Sequence, residues 1–223
     1  MATIASVRAP LLLALAAIVV LAGCGDGSSE PSSSDAPVIS GPGVVATKAP
    51  WKPETEHLRE RMKRFDVPPP GTEKFHHHAQ LHVYEDGFLV PVPTHIGIGG
   101  GTVSGLHTHA PGGVIHIEAT KPFSPTLGDF FGIWGVPFGP EQVGDLENEG
   151  DKRVWVYANG KPVADPIDYV MREGDNLVVA YGEEGSFPTK PNVTLLREEQ
   201  SGKGGPCGAK KKGEPKKKSC IAK

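Results

Sequence analysis

From Phe75 to Tyr84 the residues alternate in type with a period of two. Phe75, His77, Ala79, Leu81 and Val83 fall on one side, and His76, His78, Gln80, His82 and Tyr84 on the other. Successive side chains of a strand point to opposite faces. The segment therefore reads as a strand with one mostly apolar face to pack on a core. Its other face lays imidazoles in a row at about 6–7 Å spacing. Glu85-Asp86-Gly87 is a turn signal leading into a return strand at Phe88-Leu89-Val90, which Pro91 and Pro93 confine to an edge. Further on, His107 and His109 share one strand face, Ala110-Pro111-Gly112-Gly113 is a turn, and Val114–Glu118 returns. In that return His116 and Glu118 share one face, and Ile115 and Ile117 the other. A hairpin folded at Pro111–Gly113 brings His107/His109 and His116/Glu118 to the same end of a sheet. Eight of the nine histidines lie between Phe75 and Glu118.

That concentration points to a metal site. Histidine is the commonest metal ligand. His107, His109 and His116 with Glu118 offer three neutral nitrogens and a carboxylate, and His78 and His82 stand in reach on the other strand. The set suits a divalent transition ion: zinc or copper(II) first, nickel or iron(II) next. Copper(I) is disfavoured, because the methionines are Met1, Met62 and Met171 and no cysteine is near. Glu118 serves either as a ligand or as the carboxylate that fixes an imidazole's tautomer. His76 and His77 read as strand-end residues, His95 as part of a proline-bounded turn and His57 as a surface histidine. No catalytic residue is assigned: no Ser-His-Asp order, nucleophilic cysteine or paired-carboxylate pattern stands out. Binding, buffering or delivery of the ion is preferred. A metal-dependent hydrolase or oxygenase with Glu118 or Glu85 as base stays open, as does a cell-envelope interaction module without metal, whose histidines form a pH-sensitive surface.

The two ends of the chain differ from the middle. Arg8 followed by apolar Leu11–Leu21 has the form of an export signal, too short to span a bilayer comfortably. Leu21-Ala22-Gly23-Cys24 resembles the lipobox of bacterial lipoproteins. The resemblance implies removal of residues 1–23, diacylglyceryl transfer to Cys24 with further acylation such as palmitate, and anchoring of the exported chain by lipid at the outer face of the membrane. Residues 24–50 are Ser/Pro/Gly-rich and read as a flexible tether, and 199–223 as a disordered Lys-rich tail. After Leu196 nine Lys/Arg face three Glu, a surplus of +6, whereas between Cys24 and Leu196 13 Lys/Arg face 23 Asp/Glu, a balance of −10. The acidic body argues against a nucleic-acid partner. The tail is read either as simply solvated or as a contact for anionic lipid, envelope polymer or nucleic acid. Cys207 and Cys220 are expected to pair in the oxidising exterior, closing a local loop.

Residues 51–198 read as one domain. A helix is expected over Pro53–Phe65, with Leu58, Met62 and Phe65 on one stripe. A second is expected after Thr126, with Asp129 completing a capping box and Gly135 ending it. Phe130, Phe131 and Trp134 would pack it on a sheet. Val136–Gly150 is an acidic loop without calcium-loop spacing. Arg153–Ala158 is a strand, Asn159-Gly160 a hairpin turn, Asn176–Tyr181 a buried strand, and Thr194-Leu195-Leu196 a last short strand. The class is mostly β with minor α: a sandwich- or barrel-like domain with one or two short helices. The segments HHHAQLHVYEDG, VPVPTHIGI, LHTHAPGGVIHIE, TLGDFFGIWGV, VYANGKPV and EGDNLVVAYG resemble a family of uncharacterised bacterial exported or membrane-anchored proteins. The likeness covers about Phe75–Gly182 and implies a common domain but no activity. The His-X-His pair is not a cupin motif, since Ala110–Gly113 lack the glutamate a cupin places there.

Overall fold

The computed structural model describes residues 36–71 and 75–200. Cys24, Cys207 and Cys220, with the lipobox and the proposed disulfide, lie outside the described residues. In chain order the elements are α1 (Leu58–Arg64), β1 (Phe75–Glu85), β2 (Phe88–Val90), β3 (Ile98–Gly99), β4 (Thr102–Val103), β5 (Leu106–His107) and β6 (Val114–Ala119). They continue with α2 (Leu127–Trp134), β7 (Gln142–Val143), β8 (Leu146–Glu147), β9 (Arg153–Ala158), β10 (Lys161–Pro162), β11 (Asn176–Gly182) and α3 (Thr194–Gln200).

Seven of these strands form one sheet in the order β10-β9-β11-β1-β6-β5, with β2 also on β1. The class is therefore mostly β with short helices, and the sheet stays open instead of closing into a barrel. β1 is its spine. It runs parallel to β11 along Gln80–Glu85 and antiparallel to β6 along Phe75–Gln80, and it meets β2 over Val83–Glu85. Period-two alternation divides β1 as its residues dictate. Ala79, Leu81 and Val83 enter the main core with Ile115 and Ile117 of β6 and Leu177 and Val179 of β11. Tyr84 joins Val178, Ala180 and Phe187 in a smaller cluster. All seven residues of β11 are buried, as suits an uninterrupted apolar run paired in parallel.

α2 covers the main core. Thr126 Oγ1 accepts from the Asp129 amide at 3.0 Å while Asp129 Oδ2 accepts from the Thr126 amide at 2.8 Å, the expected capping box. Gly135 ends the helix in the left-handed region, φ 87. Phe130, Phe131 and Trp134 are fully buried. The β9–β10 turn has Asn159 at φ 56 and Gly160 at φ 82, the backbone twist that Asn-Gly favours in a two-residue hairpin.

Three stretches depart from the sequence reading. α1 begins at Leu58 and not at Pro53, because the Glu54 carboxylate accepts the Glu56 and His57 amides at 2.9 and 3.1 Å. Those amides are capped instead of being carried in a helix. Residues 36–50, Ser/Pro/Gly-rich by composition, are laid along the domain. The Ile39 amide donates to the Phe138 carbonyl at 2.7 Å and that of Val45 to Gly135 at 3.2 Å, while Ile39 and Ala49 pack on the core. Thr194–Gln200 is a helix and not a strand: Leu196 is buried, and its amide donates to Gln80 Oε1 at 3.3 Å.

Candidate metal centre

The site is built by register. His107 on β5 stands directly opposite His116 on β6, and His116 stands opposite His78 on β1. One step along, Glu118 faces His76. Directly paired side chains share a face with Cβ atoms about 4.5–5.5 Å apart, so three adjacent strands carry a patch of imidazoles around one carboxylate. His109 follows the end of β5 and folds its ring back, its centroid 4.6 Å from those of both His107 and His116.

Two glycines hold this register. Gly113 is left-handed, φ 76, and its carbonyl accepts from the Leu81 amide at 2.8 Å. A Cβ there would lie 2.1 Å from the Leu81 carbonyl oxygen. The Gly105 carbonyl accepts from the Glu118 amide at 2.8 Å, and a Cβ on Gly105 would meet the Glu118 carbonyl oxygen at 2.4 Å. Gln80 closes one side of the patch. Its amide nitrogen donates to the Gly112 carbonyl at 3.0 Å while its oxygen takes the Leu196 amide. On the other side His76 and His109 are exposed, so solvent ions have access.

Glu118 Oε1 is the hub. It lies 3.1 Å from His76 Nε2, 3.5 Å from His116 Nδ1 and 3.8 Å from His107 Nε2. His107 Nδ1 lies 2.8 Å from the Ser104 carbonyl. A carbonyl only accepts, so Nδ1 carries the hydrogen and Nε2 presents its lone pair. That lone pair faces His109 Nε2 at 3.0 Å. His76 Nε2 and His116 Nδ1 are 3.4 Å apart.

The electrostatics favour neutral rings at His78, His107 and His109 and an ionised Glu118. Burial, then the neighbouring His116 and His76, push His78 down to about 4. Burial, then His109 and His116, push His107 well below the ordinary histidine value, and burial with His116 lowers His109. Burial opposes ionisation of Glu118, but the hydrogen bond from His116 and the charges of His107, His76 and His116 outweigh it and hold the carboxyl well below the usual range. Neutral imidazole and carboxylate are the protonation states that ligate a cation.

Ligand atoms converge in two groups: His107, His109, His116 and Glu118, and His76, His78 and His116, each within 4.8 Å of one another. Of the six expected ligands the structure thus brings together His107, His109, His116, His78 and Glu118. His82 enters neither group. It pairs with Val178 on β11, and its Nε2 is buried with no hydrogen-bond partner among the described residues. His76 joins the site instead. The signal for it was its place two residues from His78, on the same strand face. His77 lies against Phe75 with its ring tilted by 41° and the centroids 4.3 Å apart, on the core side. His95 is exposed, with Nδ1 2.9 Å from Thr94 Oγ1. His57, Glu54 and Glu56 also approach one another, but the Glu54 carboxylate is already engaged by Arg61 and by two amides. No helix among the described residues is long and apolar enough to cross a membrane.

Comparison with protein-family models, curated proteins and solved structures finds no match for this chain.

Proposed function

We propose that this chain is an exported bacterial lipoprotein that binds a divalent transition ion on the histidine face of its β domain. His107, His109, His116 and Glu118 are the principal ligands. The observation that carries this reading is His107: a buried imidazole, its tautomer set by the Ser104 carbonyl at 2.8 Å, aiming a lone pair at another ring nitrogen 3.0 Å away. With His109 in the tautomer that leaves its Nε2 bare, the two nitrogens can share a cation. The nitrogen-rich set with one carboxylate matches zinc or copper(II) before nickel or iron.

Binding, buffering or delivery fits better than catalysis. No Ser-His-Asp order, nucleophilic cysteine or paired-carboxylate pattern stands out in the sequence. The Leu21-Ala22-Gly23-Cys24 segment supports lipid anchoring through Cys24 at the outer face of the membrane. The Lys-rich tail suits an anionic lipid or envelope polymer, and the acidic body argues against nucleic acid as the main partner.

Elemental analysis of the purified full-length chain tests the metal. The wild type retains zinc or copper, and His107→Ala plus His109→Ala removes most of it. Content unchanged by the double substitution refutes the assignment. Radiolabelled palmitate should enter the wild type and not Cys24→Ala.

A further inference from the structure

We infer that the histidine face takes two ions bridged by Glu118, which rests on the reading of that face as a metal site. Donors of one ion bonded at 2.0–2.1 Å lie at most about 4.2 Å apart. The five histidines and Glu118 do not form one such set. They divide into His107, His109, His116 and Glu118 on one side and His76, His78 and His116 on the other. One ion held by either group leaves donors of the other unused.

The carboxylate stands between them. Glu118 Oε1 is 3.1 Å from His76 Nε2 and 3.8 Å from His107 Nε2. A carboxylate has lone pairs for two cations, and paired ions in two-metal sites sit about 3.5–4 Å apart. His109 and His107 then hold the first ion, His76 and His78 the second, and His116 lies in reach of both.

An independent observation marks the second position. His78 Nε2 is buried and meets no donor or acceptor among the described residues. Buried polar atoms left unmatched are few in folded proteins, and each calls for a cause. The backbone beneath the ring is fixed, since the His78 amide donates to the Glu173 carboxylate at 2.8 Å and its carbonyl accepts from the Gly174 amide at 2.8 Å, and the side chain is buried. A positioned imidazole with an unmatched nitrogen, beside His76 at 4.5 Å and His116 at 4.7 Å between ring centroids, is a ligand set for a second divalent ion.

Titration of the metal-free full-length chain with Cu²⁺, followed by electron paramagnetic resonance, tests this. The wild type should bind two equivalents, with the integrated spin falling below the bound copper as the second ion couples to the first. His76→Ala plus His78→Ala should bind one equivalent with full spin. His76→Gln, at an exposed position, should weaken the second equivalent at least about tenfold and spare the first. Saturation at one equivalent, unaffected by these substitutions, overturns the two-ion inference and leaves the single-ion reading standing. Two equivalents with full, uncoupled spin also overturn it. A wild type that binds no copper defeats both readings.

Discussion

Two polar clusters are packed into this domain, and they solve burial in opposite ways. Arg61 on α1 has a fully buried side chain. It pairs with the Glu54 carboxylate and donates to the carbonyls of Glu54 at 2.7 Å, Pro42 at 3.2 Å and Ile133 at 3.2 Å. Burial draws its pKa down to about 10, so it stays charged at neutral pH. Only its Nε lacks a partner among the described residues. A buried charge persists when it is paired and hydrogen-bonded from within the chain. The histidine face is the reverse. Its rings face one another, His78 Nε2 has no partner, and the carboxylate hub meets three imidazoles at once. The first cluster is matched from within the chain but for that one nitrogen, and it fastens residues 36–50 and α1 to α2. The second, on our proposal, is completed by a bound ion.

The contrast breaks most sharply at Arg61. Arg61→Ala strands the Glu54 carboxylate and should cost ~3–5 kcal/mol of unfolding free energy, read by urea denaturation, with zinc affinity of the remaining folded protein unchanged. Acid should act on the other cluster. A base whose folded pKa is depressed binds its proton more readily in the unfolded chain, so stability is full above the unfolded value and lost as pH falls. For His78 the window runs from about 6.5 to about 4. A shift of that size corresponds to ~3 kcal/mol for this group alone. The metal-free protein should therefore lose stability across that window, and bound ion should be released in the same range, followed by thermal melts and a chromogenic chelator.

Gly113→Ala sets a Cβ against the Leu81 carbonyl at a left-handed position. It should cost about 2 kcal/mol and lower zinc affinity by displacing His116 from His78. The smallest effect should fall on His78→Leu. Replacing an unmatched buried ring by an apolar one should change metal-free stability by less than about 1 kcal/mol, in either direction. The same substitution should abolish part of the stabilisation that added zinc confers, measured as the shift in melting temperature.

Much of this was legible in the chain. The alternation from Phe75 to Tyr84 separated core face from histidine face, and Thr126, Asp129 and Gly135 marked α2 at both ends. The hairpin at Pro111–Gly113 placed His107 and His109 against His116 and Glu118. Register was not legible. His76 and His82 lie on the same face of the same strand, and which of them joins the site depends on how far β6 extends along β1. That is decided by the Gly113 carbonyl meeting the Leu81 amide, a contact with no pattern in either segment. The docking of residues 36–50 was hidden for a similar reason. It rests on backbone hydrogen bonds to Gly135 and Phe138, which composition does not register. The helix at Thr194–Gln200 depends on Gln80, more than a hundred residues earlier.

The central claim is that these imidazoles grip an ion, and the X-ray absorption spectrum of the zinc-loaded full-length chain addresses it most directly. The account predicts a first shell of nitrogen and oxygen at about 2.0–2.1 Å with outer-shell scattering from at least two imidazoles per ion, diminished in His107→Ala plus His109→Ala. A shell of oxygen alone, without imidazole scattering and the same in the variant, would contradict it.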